Sequence, residues 1–129
     1  MSVEEDLTTW LAATLREPRP ASLRGYCFNL VDGAAADEAS FTLELVGCER
    51  FDANDPDWPC DECWRPSHPP LEIATAFTGP DWESCLENMR GLLLPLVQEG
   101  TPGAPLRMAQ GVGLGFVDGD LHLLWQRGD

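Results

Sequence analysis

GVGLGFVDGDLHLLW, residues 111–125, is the most legible hairpin in the chain. Taking Asp118-Gly119 as a two-residue turn pairs Val117 with Asp120, Phe116 with Leu121, Leu114 with Leu123 and Val112 with Trp125. The last three pairs are apolar and share one face, so a single register satisfies the whole segment. Working backwards, LRGYCFNLV (23–31) sets Tyr26, Phe28 and Leu30 against Cys27 and Asn29. SFTLELVGC (40–48) sets Phe41, Leu43 and Leu45 against Thr42, Glu44 and Val46. The polar connection DGAAADEA between them opens on a turn signal, which predicts a second antiparallel pair. LEIATAF (71–77) alternates in the same way.

Two segments carry the helical period instead. In residues 3–16, Leu7, Trp10, Leu11, Thr14 and Leu15 form one stripe. Ser2 and Glu5 have the capping-box spacing, and Pro18 and Pro20 stop the helix. From Asp81, the stripe Trp82, Cys85, Leu86, Met89, Leu93, Leu96 and Val97 predicts a second helix, with Thr78 and Pro80 at its start. Pro95 should kink or end it, although Gly91 four residues earlier removes one clash. The predicted order is α-β-β-β-α-β-β. That is a single α+β domain over residues 1–129, with two helices on an antiparallel sheet of about five strands, because no regular βαβ alternation appears.

The chain has 129 residues, 43% of them apolar, enough for one real core. It carries 22 acids against 8 bases, a net charge of −14. Such a field repels nucleic acid and anionic lipid and draws in basic proteins. All the bases are arginine, so no lysine is present for Schiff-base or P-loop chemistry. The opening MSVEEDLTTWLAATLREP is acidic and amphipathic, unlike a secretory signal, and no apolar run approaches a membrane span. With an odd count of five cysteines, these features predict a cytoplasmic protein with free thiols.

Chemistry, if any, concentrates in FDANDPDWPCDECWRPSHPP, residues 51–70, with five acids, two tryptophans, a Cys-x-x-Cys and a histidine. Cys60, Cys63 and His68 have the opening spacing of a zinc knuckle but lack a fourth ligand at a usual distance, so a small zinc-stabilised domain stands as the alternative. A redox role is weaker, because Asp61 and Glu62 between the cysteines disfavour a thiolate. An EF-hand reading of Asp52 onward fails at Pro56 and at Cys63 in the twelfth position. GVGLGF lacks the dinucleotide glycine order and leads into a hairpin. Its Gly113 and Gly115 leave one strand face bare for close approach. His122 and Asp120, two apart on a strand and with His122 set opposite Gly115, look like an exposed polar face rather than a dyad, and no catalytic serine motif is present.

What remains is acid interleaved with aromatic: Phe51, Asp52, Asp55, Asp57, Trp58, Asp61, Glu62 and Trp64, with no base between Arg50 and Arg65. This is the composition of a docking surface, with aromatic anchors for burial and carboxylates for steering, although one of the tryptophans is expected to fold back onto the sheet. The FD…DW-x-CDE run (Phe51, Asp52, Asp57, Trp58, Cys60, Asp61, Glu62), with FNL upstream and the Gly-rich hairpin at the end, resembles small acidic bacterial proteins similar to the immunity proteins of polymorphic toxin systems. In that pattern Cys60 belongs and Cys63 is a local substitution. The resemblance implies a binding role and supplies no catalytic residue; together with the acidic charge, the expectation is a basic, toxin-like protein partner and no cofactor.

Overall fold

The computed structural model describes residues 3–32, 40–52, 54–55, 58, 62–67, 70–74, 82–98, 104–116 and 121–126. The first helix, α1, is Val3–Thr14. Strands β1 (Gly25–Asp32) and β2 (Ser40–Cys48) follow, then β3 (Glu62–Trp64) and β4 (Leu71–Ala74). The second helix, α2, runs from Trp82 to Gln98 and a 3-10 segment spans Ala104–Met108. Strands β5 (Gly111–Phe116) and β6 (His122–Gln126) are the last elements among the described residues.

These strands form one mostly antiparallel sheet in the order β3-β2-β1-β5-β6, with β4 also pairing β2. The α+β class and the two long helices are those the periodicity predicts. The strand count rises to six because β3, three residues inside the Pro- and Asp-rich stretch, adds to an edge. Too short to show an alternation, it pairs β2 across a register shift at Gly47 and Cys48. The β1–β2 pair is antiparallel from Gly25 opposite Cys48 to Asp32 opposite Phe41. Among the described residues the one parallel pair is β1 with β5, which sets Gly25 beside Gly111 and Cys27 beside Gly113.

Both helices cover one face. The α1 stripe of Leu7, Trp10, Leu11, Thr14 and Leu15 is buried, as are Cys85, Met89, Leu93 and Val97 of α2. They meet Tyr26, Phe28, Leu30, Phe41, Leu43, Leu45, Val112 and Leu114 from the sheet. Pro95 does not end α2, which continues to Gln98. Gly91 and Pro95 both lie on the exposed side, where water can satisfy the carbonyl that proline's missing N–H leaves free.

The C-terminal hairpin keeps Val112 opposite Trp125 but shifts register beyond it, placing Gly113 opposite Leu123 and Leu114 opposite His122. One extra residue on β6 therefore exchanges the roles of two leucines. Leu124 is 3% exposed and joins the core, whereas Leu123, the expected partner of Leu114, is 39% exposed. His122 likewise stands opposite Leu114, not Gly115. A bulge of this kind is a local insertion that strict period-two pairing does not anticipate.

Candidate functional site

The face of the sheet away from the helices is covered by the acidic segment itself. Strand alternation turns Cys27, Val46 and Cys48 to this side, and Trp58 closes over them with Phe51 and Leu121 alongside. Gly25, Gly111 and Gly113 make the seat flat. A β-carbon at Gly25 would lie 2.9 Å from Trp58 Cζ3, and one at Gly111 would overlap the Phe51 ring. The bare strand face expected from the glycine spacing is therefore filled by the chain's own aromatic side chains. The Phe51 and Trp58 rings meet edge to face at 5.0 Å and 66°.

Between these two anchors the chain turns on its own carboxylates. Asp52 accepts the Asn54 N–H at 2.9 Å, an Asx turn, and the Asp55 N–H donates to the Asp52 carbonyl at 3.0 Å. The Trp58 N–H donates to the Asp55 carbonyl at 3.3 Å, and Arg50 pairs with Asp55 at 2.5 Å. Beyond the loop, Glu62 accepts from Arg65 at 2.9 Å, and the same guanidinium lies 3.5 Å from Glu44.

Trp58 is 1% exposed and Trp64 9%, so neither tryptophan projects as an anchor for a partner. One tryptophan was expected to fold back onto the sheet; both do. They also serve opposite faces: Trp64 stands edge-on to Tyr26 in the main core at 6.0 Å and 87°, with Arg19 over its ring at 6.0 Å. The physical reason is area, because each indole gains far more from the sheet it can reach than from water. What the segment presents outward is carboxylate. Asp52 and Glu62 are exposed and Asp55 is half-buried in its ion pair. Exposed Glu49, one residue past β2, extends the same strip, and the strand end beside it was the available signal. Asp57, Asp61, Cys60 and His68 lie outside the described residues.

Of the zinc trio, Cys63 alone is described; it is half-buried, and burial pushes its thiol up while a hydrogen bond with Ser22 opposes that shift. Among the described residues no three metal-binding side chains converge. Cys27 is buried beneath Trp58, and burial, with Cys48 nearby, pushes its thiol far above the ordinary range. Its Sγ donates to Asn29 Oδ1 at 3.3 Å. Such a thiol packs as a small apolar group and is a poor nucleophile. No helix among the described residues is long and apolar enough to cross a membrane. Comparison of the chain with protein-family models, with curated proteins and with solved structures finds no match in any of the three.

Proposed function

We propose that the protein is a non-enzymatic binding protein that captures a basic protein partner on the acidic strip from Glu49 to Glu62, in the manner of the immunity proteins it resembles. One observation carries this: Phe51 and Trp58 clamp the segment onto a glycine seat, so the carboxylates of Asp52 and Asp55 between them are held before any partner arrives. A surface ordered in advance loses less freedom on association, which favours tight capture. The net charge of −14 adds long-range attraction for a basic surface such as that of a nuclease. Trp58 acts from inside, by fixing the loop.

The test uses a basic toxin domain encoded beside this gene, with growth rescue on co-expression and association rate as readouts. Replacing Asp52, Asp57, Asp61 and Glu62 by their amides should slow association about tenfold or more at low salt and flatten its salt dependence. Unchanged rates and unchanged rescue in the amide variant would refute the acidic strip as the docking surface.

A further inference from the structure

The arginines are not spread evenly. Four of the eight, Arg16, Arg19, Arg24 and Arg107, fall within residues 15–26 and 104–110, where Glu17 is the single acid. Glu17 is turned elsewhere, its Oε1 accepting from the Ser67 N–H at 2.8 Å and the Ser67 hydroxyl at 3.0 Å. The two segments are stitched together by the Gln110 N–H donating to the Arg24 carbonyl at 2.7 Å. Between them lies a cleft of about 200 Å³ lined by Arg19, Pro20, Leu23, Tyr26, Pro105, Met108 and Ala109.

This cleft differs from the rest of the surface in sign and in polarity. Arg19 donates to the carbonyls of Leu15 and Glu17, and Arg107 donates to the Val97 carbonyl at 2.8 Å. These acceptors are neutral. Among the described residues, no carboxylate pairs with Arg19, Arg24 or Arg107. Arg24 is exposed and, by strand alternation, projects to the side of Tyr26. Met108, at 77% exposed, is the most exposed large apolar side chain among the described residues and stands on the rim of the same cleft. Among the described residues, then, these guanidiniums have no carboxylate partner and lie beside the most exposed apolar side chain.

We propose that this cleft is a second binding site, distinct from the acidic strip, that accepts a short extended peptide segment carrying carboxylates beside an apolar side chain. The apolar side chain would enter between Leu23, Pro105 and Met108, and the carboxylates would face Arg24 and Arg19. A bare anion would leave the apolar lining unused, and a polyanion would meet the repulsion of the whole molecule. The site is independent of the proposed capture of a basic partner.

The experiment titrates the isotope-labelled full chain with a short peptide alternating aspartate and leucine, following methyl and amide shifts. Saturable shifts at Leu23, Met108 and Ala109, with a Kd near or below about 1 mM, are expected. Arg24→Glu and Met108→Ser, both on exposed side chains, should each weaken binding at least about threefold without moving the melting temperature. Three outcomes would overturn the proposal: no shift in these residues at about 5 mM peptide, equal binding of a lysine–leucine peptide, or equal binding there of an aspartate–serine peptide, inorganic phosphate or oligothymidylate.

Discussion

Trp58→Ala is the sharpest test of how the acidic loop is held. An indole with 1% of its surface exposed removes about 200 Å² from water, worth ~5 kcal/mol at about 25 cal/mol per Å². A compact denatured chain already hides part of that area, which lowers the expected loss to about 3–4 kcal/mol. Partial collapse of Phe51 and Leu121 into the space would reduce it further, whereas Gly25 and Gly113 have no side chains to move. With a urea slope of about 2 kcal/mol/M, the unfolding midpoint followed by circular dichroism should fall by about 1.5–2 M. At the same time Cys27 and Cys48, buried beneath the indole, should begin to react with an aromatic disulfide reagent well below the midpoint. A loss under about 1 kcal/mol, with both thiols still protected, would refute the clamp.

Gly111→Ala should destabilise by about 1–3 kcal/mol, because the new methyl overlaps the Phe51 ring. In a Phe51→Ala background most of that penalty should vanish, a coupling readable in a double-mutant cycle of urea midpoints. Thr14 is fully buried and its hydroxyl has no hydrogen-bond partner among the described residues. Thr14→Val keeps the shape and should therefore raise stability by about 1 kcal/mol, or the melting temperature by about 3–5 °C, in a thermal melt. The Cys27 thiol is raised above its ordinary value of 9.0 by burial. The folded state thus holds its proton more tightly than the unfolded one, so this contribution is complete below pH 9 and declines as pH rises past it. Urea midpoints at about pH 8 and pH 10 should show that decline, and Cys27→Ala should reduce it.

The helices and most strands were legible because each buries a stripe or face against a single large core. Leu7, Trp10, Leu11, Thr14 and Leu15 announce α1 by spacing alone, and all five are buried. The alternation in 40–48 gives β2 to the residue. What escaped were features set by distant partners. Nothing local in FDANDPDW says that its tryptophan turns inward. The seat consists of Gly25 and Gly113, 88 residues apart in the chain and brought together only by the parallel pairing of β1 with β5. The exchange of Leu123 and Leu124 arises from one inserted residue, invisible to a strict alternation. At the site, Asp52 and Glu62 are exposed, while Trp58 and Trp64 belong to the interior.

That parallel pairing also fixes an order of events during synthesis. Strand β5 lies between β1 and β6, so one long edge of β1 stays open until residues 111–116 have left the ribosome. Until then Trp58 has only half its seat, because Gly111 and Gly113 have not yet been made. Contacts of such long sequence separation form late and slowly. A prematurely terminated chain would thus carry an unpaired strand edge and an unseated indole, the surfaces that promote aggregation and that chaperones capture. Completion of the β5–β6 hairpin hides both, so a chain synthesised past it and one interrupted before it differ in what they show to the cell.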